Sequence, residues 1–324
     1  MKTSRTMQRA LLWLDRRLGT SWERAQLTKA KTAPECEVRL DRLEFTATGV
    51  SKEQILEIPQ FRGGEDHFVK RKDPKSFLPY RRVASFESDT SIRFLYILHE
   101  PSTEWIAPFK ITLIARDETG LQPKDVLSVL QFVSGAKLVL VEIAFDFGFR
   151  SGVDCEFVRR HGLFGKARRN QVGIWRLWDC WGTRRSAKFV RSYYKPELKI
   201  HRLELQLNRK FLCRFRIDDV FDFQRLVSIL PVNHIFFAYL DKTKMMKHLR
   251  NAGNWGRGLQ QILERLDDNQ DDLLAQCAVL RQRGAVKNTR RLLIPLATNE
   301  LVAKALKQWA SRWPKKPNRL EMKQ

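Results

Sequence analysis

Residues Val38-Arg39-Leu40-Asp41-Arg42-Leu43-Glu44-Phe45 alternate apolar with polar side chains, the period of a half-exposed strand. A Ser51-initiated helix running to Ile58 follows. Short alternating runs at 83–86, 92–98 and 109–115, separated by Gly, Pro, Ser and Asp, predict antiparallel strands. Pro123 starts a helix within 121–132, and beyond Gly135 the apolar, β-branched run 137–147 reads as a further strand. The pattern then repeats with a helix over 154–161, a strand over 174–180, a Gly-Thr turn at 182–183, and strands over 186–194 and 200–207. From Ile217 the period becomes helical. Val220, Phe223, Leu226 and Ile229 share one segment, a long helix spans 258–281, and another covers 299–309. A helix-turn-helix over 220–234 is opposed by Pro231, which argues for a chain break. Near the start, Leu11, Leu14 and Leu18 interleave with Arg9, Arg16 and Arg17 as a basic amphipathic helix, and the end, rich in Pro and charge, reads as a flexible tail.

The expected fold is therefore α+β, with antiparallel sheets and packed helices followed by an all-helical C-terminal region. The boundaries fall at 1–31 for a basic N-terminal arm, 32–216 for a domain of two α+β units, 217–311 for the helical region and 312–324 for the tail. With 324 residues, 43% of them hydrophobic, the chain can bury a substantial core. No run approaches the length of a membrane-spanning helix, so a soluble, cytoplasmic protein without a membrane partner is expected.

Charge changes the picture more than composition does. The formal net charge is +24, and residues 150–216 carry 18 basic side chains against 5 acidic ones, whereas 32–149 are slightly acidic. Such a concentration suits a groove that follows a phosphate backbone; a solvated basic face is the plainer alternative. The five cysteines form no CxxC pair and the six histidines no HxH or HExxH, so any metal site must rest on carboxylates.

Strand phase nominates those carboxylates. Glu142 and Asp146 are four apart on one strand and share a face; Glu204 lies on the more polar face of its own strand with Arg202 and Gln206. If the two strands pair, three acids converge, the hard-oxygen set that suits Mg²⁺ or Mn²⁺. The alternative is that each acid pairs with Arg or Lys. Between these strands, Arg191, Tyr193 and Lys195 share a face. A phenol flanked by cations is biased toward phenolate, which makes Tyr193 a candidate nucleophile on a phosphodiester with Lys195 stabilising the charge; packing or base stacking by both tyrosines is the other reading.

Three segments, Glu142-Ile143-Ala144-Phe145-Asp146, Gly182 to Lys195 and Arg202 to Leu207, resemble in order and spacing the motifs of the trans-acting plasmid Rep class of rolling-circle replication initiators. Related conjugative-element relaxases and filamentous-phage replication proteins belong to the same class. Asp41 to Phe45 resembles the opening strand of that family, so the likeness covers roughly residues 38–210. Glu142 stands where many members carry Asp, Phe147 where a second acid is common, and Ser192 where the residue is usually apolar.

The resemblance implies a nicking and joining domain over 32–216 that cleaves one strand of origin DNA through a 5′-phosphotyrosine and later reseals it. Tyr193 carries over as nucleophile, Arg191 and Lys195 as phosphate-contacting cations, and Glu142, Asp146 and Glu204 as ligands of Mg²⁺ or Mn²⁺. Arg168, Arg169, Arg184, Arg185, Lys188 and Arg202 are expected to bind DNA, as origin duplex or hairpin and as single strand. Host helicase and polymerase are the implied partners, and a homodimer is left open. The competing function is a non-catalytic nucleic-acid-binding protein with a basic, aromatic-lined groove drawn from Trp175, Trp178, Trp181, Tyr193 and Tyr194.

Overall fold

Alternation in the first described strand, β1 (Cys36–Ala47), sends Leu40, Leu43 and Phe45 into the core while Arg39 and Arg42 stay outside it. In this computed structural model the described residues are 35–69, 79–116, 119–164, 169–171, 178–251, 257–269, 272–282 and 289–315. The basic helix expected over 7–18, most of the basic tail, and Trp175 lie outside them.

β1 stands inside a ten-stranded sheet. Across the sheet run β10 (Arg169–Gln171), β11 (Trp178–Trp181), β12 (Lys188–Lys195), β13 (Ile200–Asn208), β8 (Lys137–Phe147), β1, β6 (Phe109–Ala115), β5 (Ile92–Pro101), β4 (Tyr80–Ser88) and β3 (Phe61–Phe68). Every neighbouring pair is antiparallel. Two small pairings complete the β structure: β2 (Gly49–Val50) with β7 (Val133–Ser134), and β14 (Phe236–Leu240) between β9 (Gly162–Leu163) and β15 (Leu293–Pro295).

The described helices are α1 (Lys52–Leu56), α2 (Pro123–Leu130), α3 (Cys155–His161), α4 (Arg209–Arg214), α5 (Gln224–Asn233), α6 (Lys242–Asn251), α7 (Arg257–Asp267), α8 (Leu273–Gln282) and α9 (Thr298–Ser311). Their starts follow local chemistry. Pro123 occupies the first turn of α2, where its missing N–H costs nothing, and the Asp154 carboxylate caps α3 by accepting from Phe157 N at 2.7 Å. Gly135, at φ +62°, turns the chain into β8 against Thr48, a conformation that a side chain would strain.

The architecture is the expected α+β, with a large antiparallel sheet and a C-terminal region dominated by helices. That region also adds β14 and β15, and its apolar positions join the sheet's core: Val302, Leu306 and Trp309 of α9 belong to the same buried cluster as Leu40, Ile143, Phe145, Leu203 and Leu205. Phe223 stacks on Trp309 at 5.4 Å between ring centres. Two local expectations are corrected. The single helix over 258–281 is two, because Asp272 accepts from Ala275 N at 2.9 Å and starts α8 afresh. Pro231 does not break the chain: it lies inside α5, near the C-terminal end, and the helix continues through Asn233 despite the hydrogen bond lost at the proline. A strand, β14, follows α5 directly, so 220–234 is no helix-turn-helix.

Candidate active site

Strand register decides what meets. β12 sets Arg191 opposite Glu204 and Tyr193 opposite Arg202; β13 in turn sets Arg202 opposite Asp146 and Gln206 opposite Glu142. On the far flank of β8, Arg39 faces Ala144 and Arg42 faces Glu142. With side chains alternating along each strand, all of these project from the one sheet face that turns away from the packed helices. The two motif strands do pair, and the three acids and the phenol share a surface.

The acids are matched by guanidinium groups. Arg202 is 1% exposed and grips Asp146 with a two-pronged fork, Nε to Oδ1 at 2.6 Å and Nη2 to Oδ2 at 2.7 Å, while Nη1 reaches Asp41 Oδ2 at 3.1 Å. Arg39 Nε lies 3.2 Å from the same Asp146 Oδ2. Asp41 occupies a bulge, where the pairing of β1 with β8 skips between Leu40 and Arg42, and the extra residue re-aims its carboxylate into the network. Glu204 accepts from Arg191 Nε at 2.7 Å and, through its other oxygen, from the Tyr193 hydroxyl. Arg191 also lies over the Tyr193 ring, 5.2 Å from its centre, and 3.6 Å from Glu142 Oε1. Asp41 and Arg39 escaped the sequence reading; the acid and base alternating at 37, 39 and 41 was the available signal.

Burial and like charge set the protonation. The Glu142 carboxyl is pushed up to about 7, first by desolvation and then by the neighbouring Glu204 charge, against the pull of Arg191. Asp41 rises to about 6, chiefly by burial, with Arg202 opposing. The Tyr193 phenol is also pushed up, by burial, by the Glu204 charge and by the hydrogen bond to it, with Arg202 and Arg191 pulling the other way. The phenolate bias expected from flanking cations is thus reversed. The nearest charge to the hydroxyl is an anion, so the resting group is a phenol that donates to a carboxylate.

A raised carboxyl value makes the folded chain bind its proton more tightly than the unfolded chain does. The stability that Glu142 contributes is therefore complete below its ordinary value of 4.5 and is lost as pH rises through about 7. Glu142→Gln is expected to remove that part of the pH dependence, so between pH 5 and pH 8 the wild type should lose about 1–3 kcal/mol more than the variant in urea titrations, whatever Asp41 and Lys188 contribute to both.

The remaining expected residues divide. Gly182, at φ +82°, opens a turn closed by Ser186 N to Thr183 O at 2.9 Å, and Arg184 and Arg185 stand exposed at its tip. Gln206 and Asn208 of β13 both donate to the Arg184 carbonyl, at 3.1 and 2.8 Å, and tie this basic turn to the strand that carries Glu204. Arg202 is committed to acids inside the network and cannot serve as a surface DNA contact. Lys188 is likewise turned inward: its Nζ donates to Phe164 O at 2.7 Å, and burial lowers it to about 7. Arg169 belongs to β10, and Arg168 is outside the described residues.

Tyr194 is exposed and lies in phase with Ser192, away from the acids. Lys195 shares the phase of Tyr193, and its charge acts on Asp41. Behind this face, Ser192 Oγ and His201 Nε2 are 2.8 Å apart, and burial lowers His201 to about 4, so that imidazole is neutral.

A divalent ion needs carboxylate oxygens that no other cation holds. Both Asp146 oxygens are on Arg202, and Glu204 is divided between Arg191 and Tyr193. Among the described residues no three Asp, Glu, His or Cys side chains converge as a ligand set. The expected trio of Glu142, Asp146 and Glu204 does not fit a carboxylate cage for Mg²⁺ or Mn²⁺, because guanidinium groups occupy the positions where the cation's charge would fall.

No known protein-family profile matches the chain, and a search of curated proteins finds no relative. No described helix is long and apolar enough to cross a membrane.

Proposed function

We propose that this protein nicks and rejoins DNA through Tyr193, in the manner of the rolling-circle replication initiators whose motifs it resembles. The observation that carries the reading is the position of one phenol. Tyr193 sits on the acid and arginine face with its hydroxyl donating to Glu204, while Tyr194 next to it is on the other side of the strand. A carboxylate that accepts the hydroxyl proton is the base a phenol needs when neighbouring charge keeps it protonated.

In the proposed step the proton passes from Tyr193 to Glu204 as the phenol oxygen bonds to phosphorus. The bond from phosphorus to the 3′ oxygen breaks, and that oxygen takes a proton from water. Resealing is the reverse. Arg191 and Lys195, in phase with Tyr193, supply positive charge for the phosphoryl oxygens, and the exposed Arg184 and Arg185 give the strand an electrostatic path toward the face.

The test is covalent trapping. Supercoiled DNA bearing the cognate origin, or single-stranded oligonucleotides drawn from it, incubated with the intact protein should yield an adduct that survives denaturing electrophoresis, with peptide mapping placing the nucleotide on Tyr193. An adduct on Tyr194 would overturn the assignment of Tyr193, and salt-sensitive binding with no adduct under any divalent-ion condition would replace this reading with that of a non-catalytic nucleic-acid-binding protein.

A further inference from the structure

The sheet face that carries Tyr193 does not stop at β1. Register continues it: Arg42 of β1 pairs with Ile114 of β6, Ile114 with Phe94 of β5, and Thr112 with Tyr96. Phe94 and Tyr96 therefore project from the same face as the acid and arginine network, five strand intervals away from β12, or about 24 Å at ~4.8 Å per interval. Their neighbours Leu95 and Ile97 are fully buried on the opposite side, which fixes the phase.

The two rings are half-buried and lie nearly parallel, at 23° with centres 6.1 Å apart. Arg93 is exposed, sits 5.0 Å from the centre of the Phe94 ring, and makes no ion pair with any described residue. Beside them opens a polar cavity of about 250 Å³ lined by Phe94, Arg62, Arg93, Arg116, Glu87 and Asp89. Asp89 balances Arg62 at 3.1 Å and Arg116 at 3.3 Å, so among the described residues of the lining three guanidinium groups stand against two acids, and neither acid is paired with Arg93.

We infer that Phe94 and Tyr96, with Arg93 at their edge, form a second binding site that takes a single-stranded nucleic acid, two bases stacking on the rings and a phosphate meeting Arg93. Stacking needs flat rings presented side by side on a rigid element, and a sheet face holding aromatics at alternate positions supplies them. The cavity's excess of guanidinium fits a backbone that carries one charge per nucleotide. Nothing in this inference requires Tyr193 to be a nucleophile.

Fluorescence anisotropy on the full chain tests it, with labelled oligo(dT), oligo(rU) and a duplex of equal length as probes. Phe94→Ala combined with Tyr96→Ala should weaken single-strand binding by about 5- to 150-fold per lost stack and leave duplex binding within about twofold, because paired bases present no free faces. Tyr96→Phe, which keeps the ring, should bind like the wild type.

Arg93→Ala, at an exposed position, should reduce the slope of log affinity against log salt by about 0.7. A preference between the two sugars names the natural strand, and equal binding supports the site for both. Unchanged oligonucleotide affinity in the ring variant, an equal loss on duplex, or an unchanged salt slope in Arg93→Ala would overturn the inference. Covalent trapping reads the Tyr193 proposal separately: an adduct that forms normally while ring truncation has no effect sinks only the second site, and intact ring-dependent binding without adduct sinks only the nickase.

Discussion

A Tyr193→Phe protein is expected to form no covalent adduct with single-stranded or supercoiled DNA while binding it within about twofold of the wild type. The substitution removes one oxygen, and that oxygen is both the proposed attacking atom and the donor to Glu204. Tyr194→Phe should react normally, because its ring is on the other side of β12. The partner variant Glu204→Gln keeps an acceptor in place but takes up the phenol proton poorly, so adduct formation should slow by about 10²–10⁴-fold. Because Glu204 also holds Arg191, the Gln variant should be checked for a native circular dichroism spectrum before its rate is read. Adduct in Tyr193→Phe at the wild-type level would end the assignment outright.

The largest effect on stability is expected at Arg202. Arg202→Leu leaves the Asp146 carboxylate, 3% exposed, without its fork and removes a partner from Asp41. Only the Arg39 guanidinium, with Nε at 3.2 Å, then remains on that carboxylate, so the loss is expected to reach about 3 kcal/mol, the lower end of the cost of breaking a buried pair and still a large share of the stability of an ordinary domain. The double variant Arg202→Leu with Asp146→Leu should recover at least half of the loss, since apolar replacement of both partners of a buried ion pair is often neutral. A shift in the urea midpoint worth less than about 1 kcal/mol in the single variant would mean that Arg39 or water compensates the carboxylate and that the fork contributes little.

Strand existence and strand phase were legible because both follow from local alternation, and they placed Glu142, Asp146, Glu204, Tyr193, Arg191 and Lys195 on faces that the pairing of β12, β13 and β8 then merged. Phase also held information that residue type obscured. Lys188 is in step with Val190 and Ser192, which are buried, so alternation already turned it inward although its charge suggested a DNA contact. The arginine partners were less legible. That Arg202 would bind Asp146, and Arg191 would bind Glu204, depends on which strands become neighbours, and antiparallel order across ten strands leaves no local trace. The Asp41 bulge is a register event between β1 and β8 and has the same character. The break between α7 and α8 was a misjudged weight: the apolar period runs on from Leu266 to Leu273, but the capping Asp272 outranks it.

One feature of the sheet bears on how this chain reaches its native state. β1 is central, paired on one flank with β6 and on the other with β8, which itself waits for β13. During synthesis the middle ribbon emerges from the ribosome well before either neighbour exists, and Asp146 meets Arg202 only after the chain has lengthened by more than fifty residues. Closure on such distant partners is slow, on the order of milliseconds to seconds, and leaves an apolar strand open to wrong company in the meantime.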